Sequence, residues 1–169
     1  MVSSANIIAQ IKKEEGFMPK KYKDGFINKV QQYSIGYGHQ IRPNESNLLT
    51  AVLTEAQATA MLIKDLKSYE AAVNNNAKIP LNQNQFDAMV SFAYNAGTGA
   101  ASKVLNTWNT SKGDVAKTMA HLSQYHKWTV NGALQVNTTL VARRKRESAL
   151  FQSGSVNAIS GDTSVKKKA

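Results

Sequence analysis

Two carboxylates and a hydroxyl lie close together near the beginning of the chain. Glu15 precedes Gly16, Asp24 follows nine residues after Glu15, and Ser34 opens the run Ser34-Ile35-Gly36-Tyr37-Gly38-His39. Hydrolysis of a glycoside requires one carboxylic acid that protonates the leaving oxygen and a second carboxyl group that stays ionised. A Glu, an Asp and a Ser at this spacing are common in soluble proteins, so the spacing alone makes glycosidic cleavage one hypothesis among several.

The expected surroundings of the two carboxylates differ. Ser3 or Ser4 can cap a helix that Gly16 ends, which places Glu15 at the helix C-terminus. The negative end of the helix dipole, together with burial, favours a protonated acid there. Asp24 lies in a turn-rich segment beside lysines, where solvent, backbone N–H groups and positive charge favour the ionised form. The sequence therefore predicts opposite protonation states for the pair.

Ser34 adds a group that can both donate to and accept from a single water molecule. Beside Asp24 it is expected to orient a nucleophilic water against the anomeric carbon of a sugar. Gly36 and Gly38 allow the backbone to bend and to approach a sugar closely.

The elements that must position these groups form an α+β, mainly helical pattern. Residues 17–41 lose the helical period and predict short strands and hairpin turns, the only β-structure expected. Thr54 with Gln57, and Asn82 with Gln85, are capping boxes that open two long helices, the second being the expected central core helix. Further helices are expected at 103–108, 114–125 and 139–151.

Composition limits the class of protein. With 169 residues, of which 42% are hydrophobic, one well-buried core is expected, and the absence of cysteine excludes disulfides and thiolate metal sites. His121 and His126 have no third ligand nearby, so neither zinc nor another cofactor is expected. His39 is expected to be structural, held by Asp65, and Trp128 is expected in the core.

The charge is strongly positive, with 21 Lys and Arg against 11 Asp and Glu, a net charge of +10. Such a surface attracts polyanions, including nucleic acid, anionic lipid, lipopolysaccharide and phosphate-bearing wall polymers. The densest basic clusters, 143–146 and 166–168, are not interleaved with the stacking aromatics of a nucleic-acid binder. Residues 154–169 are expected to form a polar, basic, loose tail.

Three separated motifs, covering residues 5–152, resemble those of the phage-type lysozymes, the endolysins of glycoside hydrolase family 24. They are the Glu15-Gly16, Tyr22-Lys23-Asp24 and Ser34-to-His39 segment, the segment 85–97, and the C-terminal region with Trp128, Gly132 and Leu140-to-Glu147. The resemblance implies a single domain over 1–153. Within it, a small β-hairpin lobe (about 17–50) and a larger helical lobe (about 54–152) are expected to be separated by a cleft.

The resemblance also implies a muramidase that hydrolyses the β-1,4 bond between N-acetylmuramic acid and N-acetylglucosamine in peptidoglycan, with inversion. Glu15 corresponds to the family's acid, Asp24 to its water-orienting carboxylate, and Asn95 to a cleft-facing amide that binds substrate. Two departures are visible. Ser34 stands where the family usually has Thr, so the positioned water is expected to be held less firmly, and the link 25–33 is longer than usual.

Other functions stay open from the sequence alone. A lytic transglycosylase would use one acid and no water, a catalytically weak wall-binding module would need no acid, and a basic nucleic-acid binder is the least favoured. A monomer without stable membrane insertion is expected, and nucleic acid is not an expected partner. The protein is expected to be made in a host cytoplasm without a signal peptide. It would reach the cell wall after release by a holin-like protein, or it would be carried in the virion.

Overall fold

The computed structural model describes residues 1–130 and 132–153 of the chain. Its contacts divide into two units, Val2–Glu70 and a second unit formed by Met1 together with the residues from Ala71 onward. Along the described residues the elements are α1 Ala5–Glu15, β1 Met18–Ile27, β2 Val30–Gly36, β3 His39–Gln40, a 3₁₀ helix Pro43–Leu49, α2 Glu55–Asn76, α3 Gln83–Ala96, α4 Thr98–Thr110, α5 Val115–Leu122, β4 Lys127–Val130, β5 Ala133–Val136 and α6 Thr138–Ser153.

Helix α1 has the ends that the sequence predicts. The Ser4 hydroxyl accepts a hydrogen bond from the backbone N–H of Ile7 at 3.3 Å, and the helix ends at Gly16, whose φ is +73°. The helix buries Ile7 and Ile11. Because Gly16 accepts a left-handed φ without steric cost, the chain turns sharply after Glu15 and leaves that side chain at the helix C-terminus.

Strands β1, β2 and β3 form an antiparallel sheet in that order, which confirms the β-structure expected at 17–41. Ile27 pairs with Val30, and the two residues between them, Asn28 and Lys29, have φ of 49° and 65°. Two left-handed residues make a tight turn whose twist matches that of the flanking strands. The register is irregular between Lys23 and Phe26 and between Met18 and Tyr22, so β1 carries more residues than the strand it faces.

His39, at the end of this sheet, is held by two carboxylates. Its Nδ1 lies 2.7 Å from Asp65 and its Nε2 lies 3.1 Å from Glu45, and the imidazole is only 8% exposed. The predicted pairing with Asp65 is confirmed, whereas Glu45, on the 3₁₀ helix, was not foreseen. Both ring nitrogens can donate at once only when the imidazole is protonated.

The second unit is built around α3, as the sequence predicts. Every residue from Gln85 to Ala93 is buried, and α3 packs against α4 and α6. The capping box of Asn82 and Gln85 is present, and the helix ends at Gly97. A helix that is buried on all sides is typical of the centre of a helical unit.

The prediction that β-structure is confined to 17–41 is wrong. Strands β4 and β5 form a second hairpin, with Trp128 paired to Gln135, and Trp128 is 55% exposed instead of lying in the core. Helix α5 accordingly ends at Leu122, short of the predicted end near Tyr125. The missed signal is the dipeptide Asn131-Gly132 between two short apolar-polar alternations, a strong hairpin signal at this length.

Helix α4 is also longer than expected, since it begins at Thr98 rather than near Lys103. Across the part of the chain that the structure describes, no helix combines the length and apolar character needed to cross a bilayer. The predicted loose tail lies outside the described residues.

Candidate functional site

Asp24 and Ser34 are brought into direct contact by the pairing of β1 with β2. The Ser34 hydroxyl donates to Asp24 Oδ2 at 2.5 Å, and the register places Ser34 opposite Tyr22. Alternate residues of a strand point to the same face, so Tyr22 and Asp24 both lie on the Ser34 side of the sheet. Ser34 is fully buried, while Asp24 is exposed to solvent.

Tyr22 is a member of this cluster that the sequence reasoning did not single out. Burial raises the pKa of Tyr22, and the charges of Asp24 and, to a smaller extent, Glu15 raise it further. A hydrogen bond with Ser34 lowers this pKa and so opposes part of the increase. The pKa of the Tyr22 phenol therefore depends on both carboxylates, Asp24 and Glu15, and on Ser34. The signal in the sequence was the spacing of two between Tyr22 and Asp24 in a segment predicted to be a strand.

The direction of the hydrogen bonds follows from the chemistry of the groups. An ionised carboxylate only accepts, so Ser34 uses its one proton on Asp24. The serine therefore has no second proton to donate to a water. Its contact is with the carboxylate itself.

Glu15 belongs to the same unit and lies at the end of α1, half-buried. Its charge also contributes to a raised pKa at Tyr69, where burial is the largest cause, followed by the charge of Asp65. The charge of Glu15 thus acts on two tyrosines, Tyr22 and Tyr69. Glu15 is half-buried at a helix C-terminus, whereas Asp24 is exposed on a strand.

Asn95 lies in the second unit, at the end of α3, and Arg144 holds its side chain by a hydrogen bond. Its Oδ1 accepts from Arg144 Nη2 at 2.8 Å. Arg144 is only 2% exposed, contacts Glu147 Oε2 at 2.7 Å, and lies 4.7 Å from the centre of the Phe92 ring. A pocket of about 310 Å³ opens beside this amide. Its lining residues are Asn95, Ala96, Tyr125, Lys127, Leu140 and Arg144.

Half of the basic cluster 143–146 is therefore not a surface patch. Arg143 and Arg144 are buried with Glu147, and Ser91 donates to Glu147 Oε1 at 2.9 Å. Two buried cations that share one carboxylate are acceptable only because each is also hydrogen-bonded. Lys145 and Arg146 remain exposed.

Within residues 1–130 and 132–153, no group of three or more His, Asp or Glu side chains is arranged to hold a metal ion. His121 instead shares a hydrogen bond of 2.7 Å with Thr107. His126 Nδ1 lies 2.6 Å from the backbone oxygen of Ser123.

The chain is similar to known proteins over most of its length. The family model described as phage lysozyme matches residues 12–147. An endolysin of Bacillus phage PZA is 37% identical over 162 residues, covering 93% of this chain and 57% of the relative. An endolysin of Salmonella phage P22 is 33% identical over 156 residues, covering 90% of this chain and 99% of the relative.

A solved structure has a similar fold. The muramidase domain of SpmX from Asticaccaulis excentricus matches with a TM-score of 0.75 at 33% identity, covering 88% of this chain and 95% of that one. The expected mainly helical, lysozyme-like α+β fold is thereby confirmed. The chain spans somewhat more than half the length of two Bacillus phage relatives, 57% and 56%. The family model and the match across nearly all of the P22 relative show that the chain belongs to the phage lysozyme family.

Proposed function

We propose that this chain is a muramidase that hydrolyses the β-1,4 bond between N-acetylmuramic acid and N-acetylglucosamine of peptidoglycan and acts at the bacterial cell wall. Membership of the phage lysozyme family supports the proposal, as do relatives described as endolysins and a structural neighbour described as a muramidase domain. The observation that carries it is the hydrogen bond from buried Ser34 to Asp24, with Glu15 in the same unit. This is the group set that acid-assisted hydrolysis requires.

In this mechanism Glu15 protonates the leaving glycosidic oxygen. Asp24 accepts a proton from a water molecule that attacks the anomeric carbon from the opposite face of the sugar. Ser34 holds the Asp24 carboxylate by its hydrogen bond at 2.5 Å, and the carboxylate orients the water. Direct displacement with inversion requires carboxyl groups roughly 6.5–9.5 Å apart, whereas a covalent retaining route requires about 5 Å.

The proposed chemistry places each carboxylate in a suitable environment. Glu15 is half-buried at a helix C-terminus. Asp24 is exposed and accepts the hydrogen bond of Ser34. The mechanism uses no metal or organic cofactor.

Asn95 is proposed as a substrate-binding residue. Because Arg144 donates to its Oδ1 at 2.8 Å, the orientation of the amide is fixed and its NH₂ group is offered as a donor. The complementary group on peptidoglycan is a carbonyl oxygen, such as that of an N-acetyl group. The pocket beside Asn95 would accept that substituent.

The loss of turbidity of purified peptidoglycan tests the proposed acid. Glu15→Gln keeps the size of the side chain but cannot donate a proton as an acid, so activity should fall by at least about a hundredfold. Glu14→Gln is the matched control on the same helix, since Glu14 accepts from Gln10 at 2.8 Å and has no role in the reaction. Full activity in Glu15→Gln would refute the mechanism, because cleavage would then not depend on this acid.

The products distinguish the possible reactions. Hydrolysis with inversion gives a reducing sugar that is first released as the α-anomer, which proton NMR detects before mutarotation. A first product with β configuration would show retention, and an anhydro-sugar would show a lytic transglycosylase.

Two substitutions at one position test the proposed substrate contact. Asn95→Asp preserves the acceptor that Arg144 needs and replaces the NH₂ donor with a second acceptor oxygen, and Arg144 can pair with the added negative charge, so folding should persist while KM rises about tenfold. Asn95→Ala also removes the partner of Arg144 and should lower both stability and affinity. An unchanged KM in Asn95→Asp would remove Asn95 from the substrate site.

A further inference from the structure

The turn that joins β1 to β2 exposes three large apolar side chains to water. Phe26 is 70% exposed, Ile27 is 53% exposed and Val30 is 63% exposed. Ile27 is paired with Val30, so these two side chains share one face, while Phe26 is paired with Gln31. Consecutive residues of a strand point to opposite faces, so the three together surround the tip of the hairpin. Clustered exposed apolar residues of this kind mark an interaction site.

Exposed lysines lie in the turn and along the strand that leads to this apolar tip. Lys29 lies in the turn itself, and Lys20, Lys21 and Lys23 are exposed along β1. Between residues 18 and 33 there are four lysines and one aspartate, a net charge of +3. The hairpin therefore has an apolar end and a cationic stem, and its partner should have an apolar interior beneath an anionic surface.

We propose that the hairpin tip, defined as Phe26, Ile27 and Val30, binds the surface of an anionic phospholipid bilayer. At about 3.3 Å per strand residue, Lys23 lies roughly 7–10 Å behind Phe26. An interfacial apolar group reaches about 5–10 Å into the boundary between headgroups and acyl chains. Insertion of the tip thus brings the stem lysines to the level of the lipid phosphates, where each adds attraction.

The chemistry of the tip favours lipid over glycan. Ile27 and Val30 have neither an aromatic face for stacking on a sugar nor a polar atom for hydrogen bonding to its hydroxyls. Only Phe26 offers a ring. Branched aliphatic side chains gain instead from transfer into a hydrocarbon phase.

The tip is also preformed, which reduces the entropy cost of binding. Asn28 and Lys29 close a tight two-residue turn, and the Gln31 side chain donates to the backbone oxygen of Gly25 at 2.7 Å. The contact is peripheral, with a few side chains at the interface. It would hold the protein beside a membrane whether or not the chain cleaves glycan, so it stands apart from the proposed function.

Co-sedimentation of the full chain with vesicles tests this proposal. Vesicles of phosphatidylcholine containing a third phosphatidylglycerol should bind the protein, and vesicles of phosphatidylcholine alone should bind it at least tenfold more weakly. Phe26→Ser combined with Ile27→Ser should weaken binding to the anionic vesicles about tenfold or more. Leu134→Ser, at a side chain 72% exposed on the β4–β5 hairpin, is the matched control and should bind as wild type does.

A charge variant and a depth probe complete the experiment. Lys23→Gln combined with Lys29→Gln should weaken binding about 25-fold, or about fivefold for each lysine. In Phe26→Trp, lipids brominated on their acyl chains should quench the new indole, whereas bromine-free vesicles should not. Circular dichroism should show all variants folded, since none of these side chains is buried.

Three results would overturn the proposal. One is no binding to anionic vesicles by wild type. Another is equal binding by wild type and the serine double variant, which would assign the attraction to net charge alone. The third is loss of binding to purified peptidoglycan in that variant while vesicle binding persists, which would assign the tip to the glycan.

Discussion

Ser34→Ala is the most informative single substitution, because it removes one hydroxyl and nothing else from the site. In the wild type this hydroxyl is fully buried and donates to Asp24 at 2.5 Å. A hydrogen bond to a charged group is worth about 1.5–3 kcal/mol. If that free energy holds the carboxylate in its reactive position, its loss lowers kcat about 10- to 150-fold.

The same substitution should change stability much less than activity. Asp24 is exposed and regains a water molecule when the serine hydroxyl is lost. Replacing a buried hydroxyl by hydrogen leaves only a small void, so we expect the free energy of unfolding to fall by about 1 kcal/mol. For a chain of 169 residues this corresponds to a decrease of about 2–4 °C in Tm.

Turbidity loss of purified peptidoglycan gives kcat and KM, and thermal melting followed by circular dichroism gives Tm. Ser34→Thr is the control, because it keeps the donor. The hydrogen bond to Asp24 already fixes the serine rotamer, so the added methyl group should change activity by less than about threefold. If Ser34→Ala keeps kcat within twofold of wild type, the hydroxyl does not position Asp24 and the reasoning fails. A kcat that recovers fully at low temperature would indicate a folding defect instead.

Two further predictions concern the scaffold around the site. Gly36→Ala places a Cβ at φ +70° and 3.2 Å from the Cβ of Ala58. We therefore expect the free energy of unfolding to fall by about 2–3 kcal/mol and Tm to fall by about 5–10 °C. A decrease of less than about 2 °C would show that the strand and α2 can separate without cost. Burial raises the pKa of Glu45, but hydrogen bonds from the Arg42 backbone N–H and from His39 together hold that pKa below its ordinary value of 4.5. A depressed pKa contributes stability above pH 4.5, and this stability is lost as the pH falls through the folded-state pKa. Glu45→Gln should therefore lower Tm by about 2–4 °C at pH 6 and by less at pH 3. An equal decrease in Tm at both pH values would contradict this linkage.

Much of the fold was predictable from short-range rules. A Ser near the start and a Gly at the end bound α1, and the capping box of Asn82 and Gln85 opens α3. These predictions hold because helix ends are decided by the backbone groups of a few neighbouring residues. The second hairpin was missed because its large apolar side chains, Trp128, Leu134 and Val136, are exposed, so no buried face marks the strands.

The residue types of the site were equally visible in the sequence, but their hydrogen bonds were not. Spacing placed Ser34 near Asp24 without indicating that its only proton is used on that carboxylate. Tyr22 became part of the cluster through the register of β1 against β2. Register depends on the pairing of whole strands, which no local pattern of residues specifies fully.

By itself, the sequence determined the ends of α1 and α3, the first hairpin, the order of the three family motifs and the identities of Glu15, Asp24 and Ser34. Only the tertiary structure decided that Arg144 is turned inward onto Glu147 and that Trp128 faces water. Local conformation follows from the sterics and hydrogen bonding of adjacent residues. Burial and charge pairing follow from residues distant in the chain, and their free energies exist only once the fold has brought those residues together.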